Sequence, residues 1–280
     1  MKKIGFVDYY ISEWHANNYP KWIAAAAEEL GLDYKVSYCW AERYESLVDS
    51  VNTDQWCEKY GVEKCDTIEE LCEKSDVIII LAPSNPETHL RYAEAVLPFK
   101  KRTYIDKTFA PDYVTAKKIV DLAKQNGTPF FTTSALRYAS ELSEFEGVKH
   151  AIVTGGGGNF EEYIIHNIEM AVALMKGSFK KVKVESVGRQ AICRCVTADG
   201  REAVLLFSYA MEYSATVEDN LGRLRKKTVA SDFFKKLIET ILVFFENGEV
   251  PFDTAETLEV MRVRDGLIKA FANNGEWVEL

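Results

Sequence analysis

Positive charge and long hydrophobic runs are both scarce in this sequence. Its 34 Lys and Arg residues are outnumbered by 43 Asp and Glu residues, which leaves a formal net charge of −9. Because an acidic surface repels phosphate backbones, we expect no nucleic acid partner. Residues 77–82, among the longest apolar runs, fall far short of the roughly 20 residues that a membrane helix needs. No apolar signal segment follows Lys2 and Lys3, so we expect neither a membrane span nor a secretion signal.

The sequence also lacks a cysteine framework. Its 6 cysteines follow no zinc-ligand spacing, and no cluster of metal-ligating residues is apparent, so we predict no metal site. Scattered free thiols are typical of a reducing compartment, which indicates a cytoplasmic protein. The cysteines are Cys39, Cys57, Cys65, Cys72, Cys193 and Cys195.

The first half of the chain alternates apolar strands with helical segments. Strands are predicted at residues 3–7, 34–40, 77–81, 103–106 and 130–132, and the first helix is predicted to begin at Pro20, because proline is favoured at the first helical position. This alternation predicts an α/β fold with a doubly wound parallel sheet over residues 1–133. Ligands of such sheets lie beyond the carboxyl ends of the strands, so the important loops begin at Asp8, Trp40, Ala82 and Asp106.

The second half, residues 134–280, has a different texture. Strand-like segments follow one another at residues 182–186, 191–197 and 203–207, with helical stretches at 163–175, 231–247 and 254–272. This order predicts an α+β domain with an open, mainly antiparallel sheet.

Several motifs together resemble the glucose–fructose oxidoreductase / inositol dehydrogenase / MocA (Gfo/Idh/MocA) family. They are DVIIILAPSNPETH (residues 76–89), YIDKT (104–108), AKKIVDLAKQNG (116–127) and TSALRY (133–138), followed by GGGGNFEEYIIHNIEM (155–170). The resemblance covers nearly the whole chain and is weakest in residues 1–60 and 195–250.

That resemblance implies a Rossmann domain and an α/β domain that assembles into a homo-oligomer through its sheet. It also implies NAD- or NADP-linked oxidation of an alcohol carbon on a small-molecule substrate, such as a sugar or polyol. Lys107 and His166 then carry the chemistry at the cleft between the domains, with Glu162 on the same helix face as His166. Arg137 and Tyr163 are the expected substrate contacts. The expected cofactor contacts are Asp8, Tyr9, Tyr10, Ile11, Trp40, Pro83, Ser84, Asn85, His89 and Asp106.

The first turn departs from the family pattern. A dinucleotide site needs G-x-G-x-x-G directly after the first strand, whereas Val7, Tyr9 and Ser12 stand at the three glycine positions here. Asp8 and Glu13 add negative charge where a pyrophosphate would lie. The sequence therefore leaves two alternatives beside the oxidoreductase: a non-catalytic relative that binds a small ligand or partner, and an enzyme of another reaction type, such as a lyase or hydrolase.

Overall fold

The computed structural model describes the whole chain, Met1–Leu280. It divides into two compact units. The first unit contains Met1–Thr133 and Lys235–Thr254, and the second contains Ser134–Phe234 and Ala255–Leu280. Each unit has its own sheet, which confirms the predicted α/β class. Residues 235–254, which the sequence placed in the second domain, lie with the first unit.

The first unit is a six-stranded parallel sheet with the order β3-β2-β1-β4-β5-β6. Its strands are β1 (Lys2–Asp8), β2 (Tyr34–Ala41), β3 (Glu63–Lys64), β4 (Val77–Ile80), β5 (Thr103–Ile105) and β6 (Phe130–Phe131). Its helices are α1 (Trp14–Leu30), α2 (Thr53–Tyr60), α3 (Ile68–Lys74), α4 (His89–Val96) and α5 (Tyr113–Asn126), with short 3-10 turns at Pro86–Thr88 and Leu97–Phe99. The strand order reverses between β1 and β4, and ligands of doubly wound folds bind at such a reversal.

Helix α1 begins earlier than the sequence predicts. We predicted a start at Pro20, but the helix starts at Trp14, and Pro20 lies in its second turn. The side chain of Glu13 caps the helix by accepting backbone N–H groups, and this cap stabilises the start at Trp14. The position of Pro20 alone does not predict that start. Because of this early start, the turn after β1 runs only from Tyr9 to Glu13.

The second unit is built on a seven-stranded sheet with the order β12-β11-β7-β10-β9-β8-β13. Its strands are β7 (Val148–Gly155), β8 (Phe179–Val187), β9 (Gln190–Thr197), β10 (Glu202–Phe207), β11 (Ser214–Asp219), β12 (Leu224–Thr228) and β13 (Trp277–Glu279). Its helices are α6 (Ser140–Ser143), α7 (Phe160–Met175) and α9 (Thr254–Ala272), with a 3-10 turn at Ala135–Tyr138; helix α8 (Phe233–Asn247) precedes α9 in the chain and mostly belongs to the first unit. The β7–β10 pair is parallel and the remaining pairs are antiparallel, so the mainly antiparallel sheet is confirmed.

The two faces of this second sheet differ. Along β7, Val153 is fully buried, whereas its neighbour Ile152 is 43% exposed. Helix α7 contacts β7 and β10, so it covers the buried face. The other face carries Ile152 and Ile192 open to solvent. No helix of the structure is both long enough and apolar enough to cross a bilayer.

Candidate functional site

Asp8 ends β1 at the strand-order reversal and is buried. Its Oδ1 accepts the backbone N–H groups of Tyr9 at 2.7 Å and Ala82 at 3.0 Å. Burial, and then the charge of Glu13, hold the pKa of Asp8 well above its ordinary value, although the two N–H donors oppose that rise. The Asp8 side chain therefore links the end of β1 to the backbone that follows β4, and it is enclosed by protein.

Glu13 occupies the amino end of α1. Its carboxylate accepts the N–H of His15 at 2.8 Å and also that of Ala16. The first N–H groups of a helix carry partial positive charge, which is why anions bind there. Burial raises the pKa of Glu13, while its partners at the helix start oppose that rise. The chain thus places its own carboxylate where a Rossmann fold places a pyrophosphate.

His15 and Asp106 form a buried pair beside this turn. Nδ1 of His15 lies 2.6 Å from Oδ2 of Asp106, and the hydroxyl of Tyr104 donates to Oδ1 at 3.1 Å. Burial alone would raise the pKa of Asp106, but His15 and then Lys107 bring it below the ordinary value. The predicted helix start at Pro20 places His15 in a loop, so the sequence indicates no role for it. Because α1 begins at Trp14 instead, the His15 ring is buried.

These residues do not fit a dinucleotide pyrophosphate held by α1. The amino end of α1 already binds the Glu13 carboxylate, and the carboxyl groups of Asp8 and Asp106 are buried close to this turn. Ile11 is buried in the core, while Tyr9 and Tyr10 are half-buried with ring centroids 5.8 Å apart. The side chains of Asp8, Ile11 and Asp106, which the sequence predicts as cofactor contacts, are therefore buried in contacts within the protein.

The loops after β2 and β4 hold the other expected cofactor contacts. The half-buried Trp40 ring lies 5.6 Å from Tyr92 in an edge contact. His89 is fully buried, with Nδ1 3.0 Å from the carbonyl of Phe109 and Nε2 2.5 Å from that of Leu81. Burial lowers the pKa of His89, although both carbonyl groups favour the proton. His89 therefore holds the loop, whereas residues 83–85 remain partly or fully exposed.

Lys107 follows β5 at the same carboxyl edge and is half-buried. Its Nζ lies 3.5 Å from the carbonyl of Pro83, which belongs to the loop after β4. An ammonium group held in this way can stabilise negative charge that develops on an oxygen. Lys107 thus places a cation at the carboxyl edge of the six-stranded sheet.

His166 lies on α7 within an aromatic surrounding in the second unit. Its Nδ1 is 2.7 Å from the hydroxyl of Ser134, and the rings of Tyr163 and Tyr213 lie 6.0 and 5.9 Å away. Burial, and then Tyr163, raise the pKa of Tyr213 to about 12. The sequence did not identify Ser134 or Tyr213. Ser134 lies in the TSALRY motif, whereas Tyr213 directly precedes β11, which was not predicted.

The glycine run makes room for these aromatic rings. A Cβ on Gly155 would lie 2.4 Å from the Tyr213 ring, and one on Gly157 would lie 2.0 Å from the Tyr163 ring. A Cβ on Gly156 would lie 1.8 Å from the carbonyl oxygen of Ser208. The run is therefore required by close approach between β7 and the side chains around His166.

Glu162 and Arg137 are held by neighbours within the second unit. Glu162 accepts from the Asn159 amide at 3.1 Å in the first turn of α7. Arg137 donates to Glu169 at 2.5 Å and to Glu256 at 2.6 Å. Burial lowers the pKa of Arg137, but Glu169 and Glu256 raise it overall. Two carboxylates therefore balance the charge of the Arg137 guanidinium within the second unit.

Residues 41–134 match the family model described as an oxidoreductase family with an NAD-binding Rossmann fold, Gfo/Idh/MocA. The predicted resemblance to this family is confirmed. The matched segment begins after most of β2, so it leaves out β1, the turn and α1. No curated protein matches the sequence significantly.

Solved structures share the fold along the whole chain. GenD2 from gentamicin A biosynthesis, solved in complex with NAD, has a TM-score of 0.79 at 11% identity, covering 100% of this chain and 97% of its own. Scyllo-inositol dehydrogenase from Lactobacillus casei, with bound NAD(H) and scyllo-inositol, has a TM-score of 0.76 at 14% identity, with coverages of 99% and 98%. UDP-N-acetylglucosamine 3-dehydrogenase GnnA from Acidithiobacillus ferrooxidans has a TM-score of 0.73 at 13% identity, with coverages of 94% and 95%. At these identities the likeness establishes the fold alone.

Proposed function

We propose that this chain is an oxidoreductase that acts on a hydroxyl group of a sugar, a polyol or a related small molecule, with NAD or NADP as its cofactor. The observation that carries the proposal is the match of residues 41–134 to the NAD-binding oxidoreductase family, because that segment includes Lys107. Further support comes from solved structures of similar fold, among them GenD2 in complex with NAD and scyllo-inositol dehydrogenase with bound NAD(H).

His166 is the proposed proton acceptor. The Ser134 hydroxyl engages Nδ1 at 2.7 Å, which fixes the ring and assigns proton exchange with the substrate to Nε2. Tyr163 and Tyr213 flank the imidazole and offer aromatic surface to the apolar face of a sugar or polyol. Lys107 is the proposed cation that stabilises the oxygen as it loses its proton.

Cofactor binding and turnover test this proposal together. NADH and NADPH are titrated against the pure protein, and nicotinamide fluorescence and melting temperature are recorded. The substitutions Lys107→Ala and His166→Ala should lower turnover of a polyol panel far more than they weaken cofactor binding. Equal loss of both would contradict the assigned roles. Lys118→Ala, at an exposed position of α5, is the matched control for the loss of a lysine.

A second candidate function is favoured by the carboxylate of Glu13. A family relative that keeps the fold but binds a small ligand without redox turnover would tolerate a carboxylate at the amino end of α1. If neither NADH nor NADPH changes the fluorescence or the melting temperature, this second function replaces the first.

We further propose that the chain forms a homo-oligomer through the open face of its seven-stranded sheet. A shallow depression on this face is lined by residues from four neighbouring strands, with Ile152, Val204 and Leu224 among them. Exposed aliphatic side chains on an open sheet face suit a second copy of the same surface.

A further inference from the structure

Helix α1 of this chain carries its own anion. Glu13 accepts two backbone N–H groups of the first helical turn, and it is 7% exposed. A diphosphate bound in the usual Rossmann manner would need the same N–H groups. It would therefore have to displace a buried carboxylate that already satisfies them.

The turn before α1 is closed by side chains and backbone. In dinucleotide-binding folds, glycines in this turn allow the backbone to approach the pyrophosphate closely. None of residues 8–13 has a left-handed backbone conformation in this structure, and none is glycine. The turn instead carries the rings of Tyr9 and Tyr10 and the buried side chain of Ile11.

The segment after β2 is bonded directly onto this turn. Arg43 donates its N–H to the carbonyl of Tyr9 at 2.7 Å, and Ser46 donates its hydroxyl to the carbonyl of Ser12 at 2.7 Å. Ser12 in turn donates to Asp49 at 2.8 Å. These bonds join the turn before α1, where a Rossmann fold places the diphosphate, to the segment after β2, where such a fold places a ribose contact.

Charge reinforces this closure. Asp8 is 1% exposed, and its Oδ2 has no hydrogen-bond partner, while Asp106 is equally buried beside His15. A diphosphate would add negative charge next to the carboxylate of Asp106, which burial has already separated from water and whose ionised form His15 favours.

We infer that the first β–α turn of this chain binds no dinucleotide diphosphate, and that the adenosine diphosphate half of a nicotinamide cofactor adds nothing to the affinity with which the cofactor binds. The second half of this inference rests on the proposed function; the first half does not.

Three ligands separate the possibilities. ADP-ribose carries the adenosine and diphosphate without nicotinamide, reduced nicotinamide mononucleotide carries the other half, and NADH carries both. At roughly 5 mM, a ligand with a Kd near 50 μM multiplies the ratio of folded to unfolded protein about 100-fold, which a melting experiment detects. We expect no shift with ADP-ribose, and shifts with the mononucleotide and NADH that correspond to Kd values within about threefold.

Binding of ADP-ribose to the wild-type protein, or NADH binding more than about tenfold tighter than the mononucleotide, would overturn the inference. If ADP-ribose, the mononucleotide and NADH all fail to bind, the closed turn is supported and the proposed oxidoreductase function is lost. The two failures are thus distinguishable in one set of titrations.

Proton NMR of NADH gives an independent reading. We expect the nicotinamide proton signals to broaden with added protein while the adenine proton signals stay narrow. Equal broadening of both would contradict the inference. The variant Glu13→Ser keeps a capping hydroxyl and vacates the position of the carboxylate. New ADP-ribose binding in this variant identifies Glu13 as the blocking group, whereas ADP-ribose binding to the wild-type protein as tightly as to the variant would refute the inference.

Discussion

Nδ1 of His15 lies 2.6 Å from Oδ2 of Asp106, and both side chains are buried at the carboxyl edge of the six-stranded sheet. His15 belongs to the first turn of α1, and Asp106 directly follows β5, so this pair ties the helix start to the far side of the strand-order reversal. Asp106 precedes Lys107 directly in the chain, and the pair therefore fixes the backbone from which that lysine extends.

Asp106→Asn should destabilise the protein by on the order of 3 kcal/mol at neutral pH, because it removes one partner of a buried pair. The pKa of Asp106 is lowered in the folded state, chiefly because His15 outweighs the effect of burial. Its contribution is therefore present above the unfolded pKa of about 3.9 and is lost as the pH falls below that value. Urea unfolding of both proteins between pH 3 and pH 8 measures the difference.

Asp121→Asn serves as the control for this experiment, since Asp121 is an exposed member of a surface pair with Lys117. Its effect should stay within about 1 kcal/mol. A similar loss for Asp121→Asn and Asp106→Asn would show that burial of the His15–Asp106 pair has no energetic consequence.

Asp8→Asn should have the opposite dependence on pH. Burial, and then Glu13, raise the pKa of Asp8 in the folded state. Below the pKa that Asp8 has in the unfolded protein, the group costs no stability. As the pH rises from that value to the higher pKa of the folded protein, the free energy of unfolding falls by about 1.4 kcal/mol for each pH unit that separates the two pKa values. The asparagine does not ionise, so the variant should gain stability relative to wild type between pH 5 and pH 8. Thermal melts at both pH values test this, with exposed Asp66→Asn as the control; a pH-independent difference would contradict it.

Local signals in the sequence were sufficient for some elements. Helix α5 is marked at both ends by local signals, because Asp112 caps its start and Gly127 ends it in the left-handed conformation. Strand β4 was found because all of its residues are apolar and buried on both faces. Strand β12 (LRKKT) was missed, since three of its five residues are charged and its pairing with β11 is a tertiary property.

The functional details depended on contacts between distant segments. His89 looked like a ligand contact in its loop, but the carbonyl groups of Leu81 and Phe109 bury it. From the sequence, Glu13 was only a negative charge near the expected pyrophosphate position. Its role as the cap of α1 could not be predicted, because no local signal showed that the helix begins at Trp14. Ser134 becomes meaningful only through His166, which lies in another element.

Gly5→Ala should destabilise the first unit by roughly 1–3 kcal/mol through overpacking. A Cβ at this position of β1 would lie 2.4 Å from Oγ of Ser75 and 2.5 Å from a methyl group of Leu71. Gly158→Ala is the matched control, because a Cβ there meets only the Tyr163 ring at 3.6 Å. Urea denaturation should separate the two variants clearly; equal stability of both would refute the close approach of α3 to β1.

The proposed homo-oligomer predicts a solution mass that is a multiple of 31.8 kDa. Ile152 is 43% exposed on the open face, and Ile152→Glu would place a charge in the middle of the shared surface. We expect this variant to elute as a monomer in size-exclusion chromatography with light scattering. Val187→Glu, at an 82% exposed hairpin position, should keep the wild-type mass. A wild-type mass of one chain would exclude the assembly.

Ser134→Ala tests whether Ser134 positions the imidazole of His166. Loss of a hydrogen bond worth about 1 kcal/mol should lower kcat/KM roughly fivefold to tenfold and shift its pH profile, with KM for the polyol little changed. Ser134→Thr retains the hydroxyl and should restore most of the loss, whereas Ser143→Ala, whose hydroxyl bonds only within the exposed α6 turn, should have no effect. Nitrogen-15 NMR of the His166 ring gives a readout that does not depend on turnover, because the signal of Nδ1 reports its bond to the hydroxyl. An unchanged Nδ1 signal in Ser134→Ala would show that the serine does not orient the ring.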